Sequence, residues 1–204
     1  MKVELTDEQE KLRQTIVENL KSRIDKMIPV ENYYNYFDTY KQYLVINLYY
    51  LIQPLRNDYV GCEVYNTPVF FPDSTKNYIY IGSKTLVLNR YKTSRFYGKD
   101  NTIQLPGPLV DIISEWMRVR ALIYPKLQGV SELLVTKDLI PMGQVNLTQF
   151  LNRIFGSKVS STMLRKSYLT EKYPVTHTSA EMNSDAKAMQ HSVRVQQTTY
   201  RKKT

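Results

Sequence analysis

"NYIYIGSKTLVLNRYKTSRFYGKDNTIQLP", residues 77–106, is the stretch whose reading decides the fold. Within it "NYIYIG", "TLVLNRY" and "NTIQLP" are rich in Tyr, Ile, Val and Leu, side chains that suit a pleated, half-buried surface. "GSK" and "FYGKDN" separate them with turn-forming residues. The stretch predicts a small antiparallel sheet of three strands, closed by Pro106, Gly107 and Pro108. Working outward, the period changes to that of helices. Upstream, Thr6 to Gln9 reads as a capping box, and Leu12, Ile16, Leu20, Ile24 and Met27 recur at helical spacing until Pro29. Residues 32–53 read as one or two further helices, crowded with Tyr33, Tyr34, Tyr36, Phe37, Tyr40, Tyr43, Tyr49 and Tyr50. Such a stripe could stack on bases, but aromatics dominate buried area, so it reads as core.

Downstream, Pro108 suits the first turn of a helix through Leu109, Ile112, Ile113, Trp116, Met117 and Arg120. "ELLVTKDLIPMG" reads as a short extended piece with a turn, and "NLTQFLNRIFG" as a helix ending at Gly156. Ser160 or Ser161 caps the helix holding Arg165, which Pro174 terminates. Ser184 or Asp185 starts the helix that delivers His191. The expected class is α+β, mainly helical: a three-stranded sheet with a Lys-bearing hairpin, packed on helices. No Pro/Gly linker divides the chain, so residues 1–204 are expected to form one domain, with residues 1–30 as a linker or extension.

Composition narrows the function. The 28 Lys and Arg outnumber 19 Asp and Glu, and a net charge of +9 favours a polyanionic partner. No apolar run reaches membrane-spanning length, and "MKVELTDEQEKL" is too acidic for a signal peptide, so an intracellular protein is expected. The single Cys62 excludes a disulfide framework and a Cys-based zinc site. With only His177 and His191, a histidine-built metal centre is not expected.

The chemistry-bearing residues come in an ordered set: Arg56, Lys92, Arg165, His191 and Tyr200. Covalent catalysis on a phosphate needs a nucleophile, fixed charge around the electrophile and an acid for the leaving group. Each residue also has a plain structural alternative. Arg56 could cap a helix, Lys92 could be an exposed strand residue, and Lys84–Thr85 offers a second Lys-Thr pair. His191 could be a helix-end cation, and Tyr200 a terminal residue. Arg165, among Leu164, Tyr168 and Leu169, falls on a helix expected to be buried, and a buried guanidinium needs a partner.

In order, spacing and setting these residues resemble the tyrosine recombinase (integrase) family over roughly residues 45–200. "YYLIQPLRNDYVGCEV" supplies the first arginine, Arg56, after a helix. "RYKTSRFYGKDNTIQLP" supplies Lys92–Thr93 and then Leu105–Pro106, like the family's Lys-Thr hairpin and its closing strand. "TMLRKSYLT" is similar to the His-x-x-Arg box, with Arg165 in the Arg place, and "MQHSVRVQQTTY" gives His191, Thr198, Thr199 and Tyr200. The departures are specific. Thr162 stands where the box has His, and a hydroxyl can hydrogen-bond a phosphate but is no acid or base at neutral pH. Lys166 stands where His is frequent, Gln190 where Gly precedes the last His, and Asp58 follows Arg56 by two positions rather than three.

The resemblance implies metal-independent and cofactor-free cleavage and rejoining of double-stranded DNA. Tyr200 would attack the phosphodiester to give a 3′-phosphotyrosyl link. Arg56 and Arg165 would grip the non-bridging oxygens, His191 would support them or Tyr200, and Lys92 would protonate the leaving 5′ oxygen. Thr162, Lys166 and Asp58 would be accessory. Lys84, Arg90, Arg95 and Lys158, with Lys76, Lys99 and Arg118, would add affinity for the DNA backbone. The four non-nucleophilic groups are expected on one concave basic face, with Lys92 on a hairpin. No membrane partner is implied. Assembly is expected as a monomer or weak dimer alone and a tetramer on paired sites. Type IB topoisomerases and telomere resolvases share this chemistry, and an inactive DNA-binding module would share the fold. The wording "PLRNDY" and "TMLRKSY" is most like integrases of eukaryotic DNA viruses, virophages and related mobile elements. With four residues after Tyr200, the chain is expected to be a compact member or a catalytic fragment.

Overall fold

The structure is a computed structural model that describes residues 7–27, 33–92, 94, 101–172, 183 and 186. In chain order the elements are α1 (Asp7–Lys26), α2 (Tyr33–Tyr50), β1 (Cys62–Tyr65), β2 (Asn77–Tyr80), β3 (Thr85–Leu88) and β4 (Asn101–Gln104). Three further helices follow: α3 (Gly107–Ile123), α4 (Gln144–Phe155) and α5 (Ser161–Lys172). The local signals explain several of these ends. Pro106 precedes α3, whose first turn carries Pro108, as a ring lacking an N–H tolerates. Gly156 closes α4 at φ 63°, a left-handed conformation that costs glycine nothing. Ser160 caps α5, its Oγ accepting from the Met163 N–H at 3.3 Å.

The expected antiparallel set is β2–β3–β4, paired Tyr78 to Val87 and Leu86 to Ile103. The sheet, however, has four strands rather than three. β1 lies parallel to β2, with Cys62 opposite Asn77. Its other edge is covered by residues 131–133, where Val64 donates to the Ser131 carbonyl at 2.8 Å and Leu133 to that of Cys62 at 2.7 Å. β1 carries β-favouring Val64 and Tyr65, but Glu63 interrupts its run, and its partners lie beyond a loop.

α2 is buried over most of its surface and packs against α1, α3 and α4. Half of the Tyr-rich stripe is core: Tyr36, Phe37, Tyr40 and Tyr49 are buried, Tyr43 and Tyr50 half-buried, and Tyr33 and Tyr34 exposed. Phe37 and Tyr40 meet Trp116 of α3 at centroid distances of 5.0 and 6.3 Å. The Trp116 indole is fully buried and donates to the Leu133 carbonyl at 2.8 Å, which satisfies its one polar atom. Arg120, also fully buried, donates to the carbonyls of Val130 and Glu132. Burial pushes its pKa down to about 10 against the opposing charge of Glu132. It thereby holds the segment that edges β1.

Lys41 sits inside this core, its ammonium 4.8 Å from the Phe37 ring centroid and 5.4 Å from that of Phe150. Burial lowers its pKa to about 8, against the attraction of Asp38 and with Arg153 adding to the depression. Between that value and the ordinary 10.5 the unfolded chain binds more protons than the folded one, so this group's contribution to stability rises with pH. Below pH 8 both states are protonated and the cost of burying the charge is present in full. Lys41→Met is therefore expected to stabilise the protein at pH 7 by about 1–3 kcal/mol, an advantage that shrinks towards pH 10.5. Urea unfolding of both proteins across this range checks the sign.

Among the described residues no helix is long and apolar enough to cross a membrane.

Candidate functional site

A cavity of about 620 Å³ opens where the α2–β1 turn, the end of β3 and the first turns of α4 and α5 meet. Arg56, Asp58, Arg90, Lys92 and Thr162 line it, so residues remote in sequence come together there. Tyr91, Gln144 and Ser161 complete much of the wall. The size is in the range of ligand-binding clefts.

The segment 56–58 is fixed residue by residue. α2 ends at Tyr50, earlier than the expected stop at Pro54, and the Tyr49 hydroxyl donates to the Arg56 carbonyl at 2.9 Å. Tyr49 packs edge-on against Tyr59, whose hydroxyl donates to the Leu48 carbonyl at 2.8 Å. The Asn57 carboxamide donates to the Gln144 carbonyl and to Thr148 Oγ1, each at 3.1 Å, and so ties the turn to α4. The Asp58 carbonyl accepts from Asn77 at 2.8 Å. With its backbone held in this way, Arg56 is half-buried at the cavity. Its buried Nη1 and the buried Oδ2 of Asp58 have no hydrogen-bond partner among the described residues. Buried polar atoms in that condition are uncommon and suit a site that receives a polar ligand.

Arg165 lies one turn beyond Ser161 and Thr162 on α5 and is fully buried. Its charge reaches the Asp58 carboxyl. Burial raises the pKa of that carboxyl, and the charges of Arg56 and Arg165 both pull it back down. Arg165 likewise lowers the pKa of Tyr49, whose net shift is upward because of burial and the Asp58 charge. The charges of Arg56 and Arg165 thus act on the same carboxyl, although 108 residues of sequence lie between them.

Lys92 is exposed at the cavity on the connection between β3 and β4, while Lys84 lies in the β2–β3 turn at the opposite ends of those strands. Thr162 is exposed and Lys166, on the same helix, half-buried. Among the cations expected to face DNA, Arg90 is exposed on the cavity wall, and Lys84 and Lys158 are exposed elsewhere. Lys76 is paired with Glu63, and Arg118 makes a two-bond ion pair with Glu115 at 2.8 and 2.7 Å, so both are less available to a polyanion. Arg95, Lys99, His191 and Tyr200, together with Pro174 and all but residue 186 of the helix expected before His191, lie outside the described residues. Asn57, Gln144 and Tyr49 are not legible as site residues in the sequence. Their roles depend on contacts to distant carbonyls, which leave no mark on spacing. Among the described residues there is no cluster of His, Cys, Asp and Glu suited to a metal ion.

The architecture is similar to that of the crystal structure of XerA recombinase, with a TM-score of 0.60 and 12% sequence identity. Its fold is recombinase-like. The similarity covers 97% of this chain and 59% of the recombinase chain. No family model matches the sequence, and no curated protein matches it either.

Proposed function

We propose that this protein cleaves and rejoins DNA as a tyrosine recombinase, through a 3′-phosphotyrosyl intermediate. The observation that carries this reading is the cavity itself: Arg56, Asp58, Lys92 and the start of the Arg165 helix meet there on a recombinase-like fold. Two guanidinium groups near one buried carboxylate suit the non-bridging oxygens of a phosphodiester, which planar forks grip better than ammonium groups do. The Tyr200 phenolic oxygen attacks phosphorus, and the bond to the 5′ oxygen breaks. That oxygen leaves with a proton from Lys92, and His191 assists at the phosphate or at the phenol. Because the phosphotyrosyl link retains the bond energy, religation is the same step reversed and needs no nucleotide. DNA affinity comes largely from cations such as Arg90, Lys84 and Lys158 and falls steeply with salt. Assembly beyond a monomer or weak dimer is assigned to paired target sites.

The test is to trap the adduct on a nicked suicide substrate and map the attached residue. Wild-type protein is expected to form a covalent DNA adduct through Tyr200, and Tyr200→Phe to form none while binding DNA nearly as well. An adduct from the Phe variant moves the nucleophile to another tyrosine. A wild-type protein that binds DNA without forming any adduct is an inactive DNA-binding module instead.

A further inference from the structure

We propose that Asn77 is a positioning residue for this reaction, holding the segment after β3 that carries Lys92 in register with the Arg56–Asp58 turn. The proposal rests on the strand-transfer reading above. Asn77 opens β2 and is 3% exposed. β3 ends at Leu88, so the next N–H groups leave the sheet ladder, and the Asn77 carboxamide takes them up. Its Oδ1 accepts from the Asn89 N–H at 2.9 Å and the Arg90 N–H at 2.8 Å. Its Nδ2 donates to the Arg90 carbonyl at 3.0 Å and to the Asp58 carbonyl at 2.8 Å. A carboxamide offers two acceptor sites and two donors, and all four are used.

One side chain thus grips the chain two residues before Lys92 and two residues after Arg56. These are the two walls that must face the same phosphate, one with the acid and one with the clamp. No other common side chain of this size can do both. An aspartate keeps the acceptors but loses the donors, and leucine loses all four. Asn89 reinforces the junction, its carboxamide donating to the Lys76 carbonyl at 3.0 Å. Reacting groups misplaced by about 1 Å can cost about 10²-fold in rate, and the Asn77 bridge governs displacement on that scale.

The experiment is single-turnover cleavage of two suicide substrates, one with the ordinary 5′-oxygen leaving group and one with sulfur in its place. A thiolate departs without a proton, so a misplaced acid matters only for the oxygen substrate. Asn77→Ala is expected to cleave the oxygen substrate about 10²-fold more slowly and to recover most of that loss on the sulfur substrate, with DNA affinity unchanged. Asn77→Asp is expected to fall between the two, and it carries the test if the Ala variant does not fold by circular dichroism. Equal losses on both substrates in a folded variant, or no loss on either, would overturn the positioning role. A wild-type protein that forms no adduct with either substrate would instead overturn the strand-transfer reading.

Discussion

Arg165→Lys is expected to slow DNA strand cleavage by about 10²–10³-fold, the usual cost of losing one preorganised charge-stabilising donor. Arg165 is fully buried on α5, and its charge reaches the same Asp58 carboxyl as that of Arg56. A guanidinium there presents a rigid planar fork that can bind a carboxylate on one side and a phosphate oxygen on the other. Lysine supplies a single, strongly hydrated point charge, which is costly to desolvate at a site closed to water. The measurement is single-turnover cleavage alongside a thermal melt and a DNA-binding titration. A folded Arg165→Lys variant that binds normally but cleaves within a few-fold of wild type would remove Arg165 from the reaction. The Asp58 carboxyl makes a further check possible. With one of its two flanking cations weakened, its already raised pKa should rise further, a change visible by carbonyl NMR.

Trp116→Ala is expected to destabilise the fold by about 3–5 kcal/mol, the range for truncating a large buried aromatic. For a protein of this size that lowers Tm by about 10 °C. The indole touches Phe37 and Tyr40 of α2, lies on α3 and hydrogen-bonds the Leu133 carbonyl. Its removal leaves a cavity between two helices and an orphaned acceptor in the segment that edges the sheet. Trp116→Phe keeps most of the volume and should recover most of the loss, leaving mainly the cost of the missing N–H donor. A drop of less than a few degrees for the Ala variant would mean that α2 and α3 are held together elsewhere.

Most elements can be read from local pattern. Helical spacing locates α1, α2, α3 and α4, and β-rich runs between turn residues locate β2, β3 and β4. Breakers such as Pro106 and Gly156 mark ends because they act through the backbone of their own neighbourhood, whatever the rest of the chain does. The candidate residues Arg56, Lys92 and Arg165 stand out for a similar reason: each sits in a recognisable local frame, after a helix, before a closing strand or on a capped helix. β1 does not stand out, since Glu63 interrupts its pattern and parallel pairing depends on residues beyond an eleven-residue loop, 66–76.

The sequence by itself marked the candidates for chemistry, and it determined the periodicities that make helices and a small sheet. Both follow from side-chain type and near-neighbour spacing. The tertiary structure alone decided that Arg56, Asp58, Lys92 and the first turn of the Arg165 helix line one cavity, and that Asn77 joins two of its walls. It also decided that Lys41 and Arg120 are core residues despite their charge. These outcomes depend on burial and on hydrogen bonds to carbonyls far away in the chain. Such energies arise only when distant segments exclude water together, so no local window of residues can carry them.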